Sequence, residues 1–175
     1  MSSSSGTSPY LVLPSPTPCD FGDPVGYDED DSYCSLALPF SMQIYAQSGT
    51  TSFMSTNGFI SILNGSPQYQ PAALPFAHIP NNTVAPFFDD LYLHGNSNPQ
   101  QGIFYQLSAA KTNITYEYYI SRGGGLSEIF HFTVDYNTAA PGVFVYTYYM
   151  TGNSTDDGAS ASIGTQGSKW YSCRS

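Results

Sequence analysis

The sequence predicts an all-β protein, a single antiparallel β-sandwich with a jelly-roll or Greek-key connection. Its 175 residues are enough for one domain of ordinary size. Short runs rich in Tyr, Phe, Val, Ile and Thr recur along the chain, separated by Gly, Asn or Pro. No run keeps a helical spacing of apolar residues over more than one turn. About eight to ten short strands separated by hairpin turns are typical of a sandwich.

The chain divides near Cys19. Residues 1–18 hold four prolines and many serines but no charge, which predicts a segment that is extended or disordered, or that lies along a sheet edge. Residues 19–175 form the predicted sandwich domain. Its expected strands lie within 35–47, 51–63 (two strands), 83–93, 102–107, 114–121, 129–137, 142–150 and 159–167.

Three strand signals are specific. Asn57-Gly58 tolerates positive φ at both turn positions and predicts a tight hairpin. The run 142–150 is apolar on both faces and is expected to be a central strand. The run 129–137 alternates, which predicts one buried face and one wet face. The buried face would hold Phe130, Phe132, Val134 and Tyr136, and the wet face His131, Thr133 and Asp135.

Charge excludes some classes of partner. Thirteen acidic residues against four basic ones give a net charge of −9. Four scattered cations cannot form the basic patch that nucleic acid requires, and an acidic protein is a poor match for an anionic membrane surface. No stretch of about 18 apolar residues is present, so no membrane insertion is expected.

Two features indicate an extracellular compartment. Asn-x-Ser/Thr acceptors for glycosylation occur at Asn64, Asn81, Asn113 and Asn153. Cys19 and Cys34 bracket 14 residues and could close a small disulfide loop, although Cys173 allows two other pairings. The first residues lack the charged and apolar regions of a signal peptide, so we expect a mature chain or a fragment of a longer surface protein.

Several motifs follow one another in a recognisable order. They are LPFSMQIYAQ (38–47), STNGFISI (55–62), VAPFFDDLYL (84–93) and ASASIGTQG (159–167), with aromatic strands between the last two. Over residues 20–167 this order resembles extracellular β-sandwich modules related to the nidogen-type domain, found in surface and adhesion proteins of fungi and bacteria. Phe88 stands where that family usually has Trp. The resemblance implies adhesion or recognition and carries over no catalytic residue.

Asp89 and Asp90 begin the best candidate site. Together with Asn96 and Asn98 in the following loop they supply the hard oxygen ligands that Ca²⁺ prefers. A metal set of Asp89, Asp90 and Asn96 is predicted, with His94 as a further contact to the ligand. The device is similar to that of GLEYA-type fungal adhesin domains, in which Ca²⁺ holds sugar hydroxyls. The alternative is that one Asp caps a turn while the other faces solvent.

A second acidic cluster spans residues 28–31, with the sequence Asp-Glu-Asp-Asp. Such a run is usually a hydrated loop unless a cation neutralises it, and its spacing is not that of an EF-hand. Asp156-Asp157-Gly158 predicts a turn. Low-affinity Ca²⁺ binding is a candidate role for either place.

Two further sets of residues complete the candidates. Glu117 and Glu128 lie on aromatic strands and form the alternative catalytic pair of a β-sandwich glycoside hydrolase or lyase. Tyr116 and Tyr118 could stack on sugar rings at a surface, or could be half-buried strand formers.

The favoured function is non-catalytic recognition of a glycan or a matrix surface by loops at one end of the sandwich. The domain is expected to be secreted, at a cell surface or in a cell wall, with Ca²⁺ as a possible cofactor. The alternatives are the hydrolase or lyase and a structural or homotypic adhesion unit.

Overall fold

The structure is a computed structural model that describes residues 10–24, 26–123, 125–152 and 158–167. Two antiparallel sheets pack face to face in these residues, which confirms the predicted all-β sandwich. The described residues contain no helix, and hence none long and apolar enough to span a membrane.

Twelve strands occur in the described residues. They are β1 Thr17–Pro18, β2 Glu29–Asp30, β3 Tyr33–Ile44, β4 Gln47–Ser55, β5 Ile60–Ser61, β6 Thr83–Phe88, β7 Tyr92–Leu93, β8 Gly102–Leu107, β9 Asn113–Arg122, β10 Gly125–Asn137, β11 Phe144–Thr151 and β12 Ser162–Gln166.

The connectivity consists largely of two meanders. The five-stranded sheet has the order β12-β6-β5-β4-β3, and the seven-stranded sheet runs β1-β8-β9-β10-β11. The short strands β2 and β7 pair with each other, and β7 joins the seven-stranded sheet through β9. The chain therefore crosses between sheets after β2, after β6 and after β11, and β12 returns to lie beside β6.

The core fills the space between the two sheets. Side chains such as Met42 and Ile60 from one sheet and Phe130 and Phe132 from the other have no exposed surface. Burial of each such side chain contributes about 1.5–3 kcal/mol to stability. Phe88 packs in a smaller cluster, with its ring centroid 5.3 Å from that of Phe59.

The alternation predicted for 129–137 is half right. Phe130, Phe132, Val134 and Tyr136 are buried in the core as expected. The opposite face was predicted to be wet, yet His131 and Thr133 are buried as well. His131 is covered because Glu117 and the rings of Tyr119 and Tyr149 pack around it.

The prediction of a central position for 142–150 is wrong. β11 pairs with β10 and ends the order of the seven-stranded sheet in the described residues. Val145 and Tyr149 on its outward face are about half exposed. Tyr146 and Tyr148 reach inward instead, and the hydroxyl of Tyr148 bonds the carbonyl of Pro86. An apolar pattern on both faces is thus explained by an edge strand that leaves some of its side chains uncovered.

The described part of the N-terminal segment lies over the outer face of the seven-stranded sheet. Thr17 and Pro18 pair with β8. Leu13 is buried against Phe104 and Tyr119. The segment is therefore fastened to the sandwich at its edge and over its face.

Cys19 and Cys34 form a disulfide, as one of the predicted pairings required. It joins the segment after β1 to β3 of the other sheet. The predictions for the pairing of Cys173, the glycosylation of Asn153 and Ca²⁺ binding at Asp156-Asp157 fall on residues outside the described ranges.

Candidate acidic site at one end of the sandwich

The two acidic clusters of the sequence come together in space. Asp30 ends β2, Asp31 follows it, and Asp90 lies in the loop between β6 and β7. One carboxylate oxygen from each of these three residues lies within 4.8 Å of the others. We call Asp30, Asp31 and Asp90 the acidic triad. Its oxygens are the ligand type that Ca²⁺ prefers.

Asp89 takes a different role from its neighbour. It is buried, and its Oδ2 accepts hydrogen bonds from Arg122 Nη2 and, at 2.9 Å, from Ser160 Oγ. Its Oδ1 accepts a bond from the backbone N–H of Asp90 at 2.9 Å. The carboxylate is therefore occupied by a cation and two donors. The three carboxylates that meet are those of the acidic triad, which differs from the expected set of Asp89, Asp90 and Asn96.

Asn57 connects the two loops that carry the triad. Its Nδ2 donates to Asp31 Oδ1 at 3.0 Å, and its Oδ1 accepts from the N–H of Leu91 at 2.9 Å. The turn that holds Asn57 is the predicted hairpin, but only Gly58 in it has positive φ. The backbone there is constrained by contact, because a Cβ on Gly58 would meet the carbonyl oxygen of Phe87 at 1.9 Å.

Partial desolvation and mutual repulsion raise the pKa of two triad carboxyls, Asp30 and Asp90, although both residues are exposed. The pKa of Asp90 is raised, first by desolvation and then by the charges of Asp31, Asp30 and Asp89, against a smaller opposing effect of Arg122. The pKa of Asp30 is raised by desolvation and by the charge of Asp31. A bound cation would relieve this crowding of negative charge.

The triad lies beside an open concavity of about 610 Å³. Asp30, Asp89, Asp90, Tyr92, Arg122, Gly123 and Ser160 line it. The exposed carboxylates of Asp30 and Asp90 in this lining can accept hydrogen bonds from a polar ligand such as a sugar.

The remaining residues of the expected site lie in the loop after β7. His94 contacts the carbonyl of Arg122 through Nε2 at 3.3 Å, and its ring centroid is 4.5 Å from that of Tyr92. Asn96 is exposed and lies against Gly26, where a Cβ would meet Asn96 Oδ1 at 2.7 Å. Asn98 is exposed. Asn96 therefore faces the loop that precedes β2.

Tyr116 and Tyr118 are not surface residues. Both are fully buried in the core between the sheets, and the hydroxyl of Tyr118 donates to the carbonyl of Phe59 at 3.3 Å. The expectation that their rings stack on a ligand is wrong, because consecutive alternation along β9 points both toward the other sheet.

Glu117 and Glu128 do not face each other across a cleft. Glu117 is fully buried under the N-terminal segment, where it accepts bonds from the N–H groups of Val12 and Leu13 and contacts His131 Nε2 at 2.7 Å. Glu128 lies 3.5 Å from Arg122, whose guanidinium packs over Phe130. His131 and Phe130 are on opposite faces of β10, so the paired-acid geometry of a glycosidase is not formed by these residues.

The described glycosylation acceptors differ in accessibility. Asn64 and Asn81 are exposed in loops, and Asn113 is half-buried at the first position of β9. Addition of glycan at these positions stays a prediction.

A family model described as NIDO related matches residues 4–174. The chain belongs to this family. The nidogen-type resemblance of the motif order is thereby confirmed at the level of a nidogen-related family. No curated protein and no solved structure is significantly similar to this NIDO-related chain.

Proposed function

We propose that this NIDO-related chain is a non-catalytic recognition domain of a secreted, cell-surface or cell-wall protein of the fungal type. It binds a glycan or an extracellular matrix surface through the end of the sandwich that carries the acidic triad. The convergence of three carboxylates from two loops is the observation that supports it most. Because family membership implies no catalytic residue, recognition is favoured over hydrolysis.

Calcium is the proposed bridge between protein and ligand. Ca²⁺ takes about 6–8 oxygen ligands, and three carboxylates supply only part of that number. The positions left over are available to water or to a pair of sugar hydroxyls. Arg122 and Ser160 line the same concavity, where both donate hydrogen bonds to Asp89 and so fix the loop that carries Asp90.

The extracellular location is supported by two features. The Cys19–Cys34 disulfide is of the kind that persists in oxidising compartments. Asn64 and Asn81 are exposed acceptors for N-linked glycans.

A glycan and matrix-protein array tests the proposal. Wild-type protein is applied with Ca²⁺ and with chelator, beside Asp90→Asn and the charge-matched control Asp135→Asn on β10. We expect binding that needs Ca²⁺, is lost in Asp90→Asn and is kept in Asp135→Asn. Binding that is equal in chelator and in Asp90→Asn would place the ligand elsewhere and refute the assignment of the triad.

Homotypic adhesion is a second candidate, favoured by the exposed outward face of β11. Val143, Val145 and Tyr149 are each about half exposed beside a sheet edge. Exposed apolar edge strands pair with other chains. Light scattering at rising concentration, with wild type and Val145→Lys, separates the candidates: self-association that Val145→Lys abolishes supports contact between copies.

A further inference from the structure

Strand β2 presents its two carboxylates to two different sites. Asp30 belongs to the acidic triad, whereas Glu29 lines a separate cavity of about 360 Å³. Cavities of about 300–1,000 Å³ are of the size that binds small molecules. This second cavity lies between the loop that follows Cys19 and the start of β8.

Most of the cavity wall is apolar. Side chains of Phe21, Tyr27, Leu93, Ile103 and Phe104 line it. The backbone of Gly95 lies close to that of Tyr27, and the backbone of Gly26 lies close to the side chain of Asn96. A Cβ on Gly95 would meet the carbonyl oxygen of Tyr27 at 2.0 Å, and one on Gly26 would meet Asn96. The carboxylate of Asp28 accepts two hydrogen bonds, one from the N–H of Gly95 at 3.0 Å and one from the hydroxyl of Tyr92 at 2.9 Å.

Glu29 is a buried carboxylate without a cationic partner here. Its exposed fraction is 8%. The ion pairs among the described residues are formed by Arg122 and His131, and none of them includes Glu29. The other charged side chains that line the cavity are Asp20 and Asp23, both acidic, and no Lys or Arg of the described residues lines it. A buried charge of this kind is costly unless a counter-ion compensates it.

Glu29 and Asp23 line the same cavity, so both carboxylates place negative charge there. A cation in the cavity would compensate this charge.

We propose that this cavity binds an organic cation, an ammonium or guanidinium group attached to an apolar body. The charged group pairs with Glu29 near Asp23, and the body packs against the rings of Phe21 and Tyr27, whose faces also attract cations. The cation belongs either to a free amine or to a Lys or Arg side chain of a partner protein. The site is separate from the acidic triad and does not depend on Ca²⁺.

Calorimetric titration in chelator with three matched probes tests the charge requirement. The probes are phenethylammonium, neutral 2-phenylethanol and anionic 3-phenylpropanoate, which share one aromatic body. We expect phenethylammonium to bind about tenfold or more tightly than the alcohol, because only the cation pairs with the buried carboxylate. Equal affinity for all three, or binding of none, overturns the proposal.

Two variants assign the binding to this cavity. Glu29→Gln should reduce affinity for phenethylammonium about tenfold, while Asp135→Asn should leave it unchanged. Asp23 is exposed, so Asp23→Asn should fold even if Glu29→Gln does not. Removing the Asp23 charge takes away one of the two negative charges near the bound cation, so Asp23→Asn should also weaken the binding of phenethylammonium. Wild-type affinity in both variants would overturn the assignment.

The source of the cation is decided by a parallel titration with N-acetyl-lysine methylamide and N-acetyl-arginine methylamide. Tighter binding of a capped amino acid than of phenethylammonium supports a partner side chain, and the reverse supports a free amine. If neither class binds to wild-type protein, the cavity does not recognise organic cations and the proposal fails.

Discussion

Asn57 donates a hydrogen bond from Nδ2 to Asp31 Oδ1 at 3.0 Å, which links the β4–β5 turn to the segment that follows β2. The oxygen of the same carboxamide accepts a hydrogen bond from the N–H of Leu91, one residue after Asp90. Asn57 has no exposed surface. One buried side chain therefore sets the spacing between the two loops that form the acidic triad.

Replacement of Asn57 should cost stability. Asn57→Ala removes the hydrogen bonds to Asp31 and from Leu91, whose N–H keeps only the carbonyl of Asp89 at 3.0 Å, so we expect a loss of about 1–3 kcal/mol in the free energy of unfolding. Urea unfolding of Asn57→Ala and of Asn98→Ala, an exposed loop control, measures it. The control should stay within about 0.5 kcal/mol of wild type, and a loss no larger than that in Asn57→Ala would contradict the role assigned to it.

The acidic triad should destabilise the metal-free protein near neutral pH. The pKa of Asp90 in the fold is raised above the ordinary 3.8. The favourable contribution of Asp90 to the free energy of unfolding is therefore fully present below the ordinary pKa of an Asp side chain. It is lost as the pH rises through the raised pKa of the folded state. We expect Asp90→Asn in chelator to melt at a higher temperature than wild type at pH 7.

The gain in Asp90→Asn should shrink to nothing as the pH falls below about 4. Thermal unfolding from pH 3 to pH 7 with Asp135→Asn as the charge-matched control follows this change. A gain that is equal at all pH values, or a lower melting temperature for Asp90→Asn at pH 7, would show that charge crowding does not operate at Asp90.

Glu117 is expected to be structural. Its carboxylate is fully buried and accepts two backbone N–H groups of the N-terminal segment beside His131. Glu117→Ala leaves these donors unpaired and should lower the free energy of unfolding by about 3–5 kcal/mol. Denaturant unfolding compares it with Glu128→Ala, whose half-buried carboxylate should cost less. Small and equal losses of unfolding free energy in the two variants would show that the hydrogen bonds of Glu117 do not hold the N-terminal segment in place.

The Cys19–Cys34 disulfide should contribute to stability through loop closure. A bridge over about 15 residues is worth about 3 kcal/mol in the chain-entropy model. The variant Cys19→Ser/Cys34→Ser should therefore melt at a lower temperature than wild type, and a reducing agent should lower only the wild-type value. A melting temperature that is the same in all these samples would speak against the bridge.

The sequence was sufficient to predict the sandwich and much of its strand order. The alternation of Phe130, Phe132 and Val134 and the turn at Asn57-Gly58 are local signals, and both were confirmed. Exposure could not be predicted in the same way. His131 looked like a wet-face residue because the segment that covers Glu117 beneath it comes from more than a hundred residues earlier in the chain.

The acidic site was predicted in two halves that the sequence could not join. Residues 28–31 and Asp89-Asp90 are separate acidic clusters in the sequence, because about sixty residues divide them, and the pairing of β2 with β7 and the bonds of Asn57 bring them together in the fold. Asn57 was interpreted as a turn residue alone. The pairing of Asp89 with Arg122 was also missed, because a cation 33 positions away leaves no local signal.

Calcium titration into chelator-treated protein tests the central claim most directly. Isothermal titration of wild type, Asp90→Asn and Asp135→Asn compares the triad with its matched control. We predict one Ca²⁺ per wild-type or Asp135→Asn molecule, with Kd of about 10⁻⁴–10⁻³ M as in extracellular modules, and no binding to Asp90→Asn. Absence of binding to wild type, or equal binding to all three proteins, would contradict a calcium-dependent recognition site at the acidic triad.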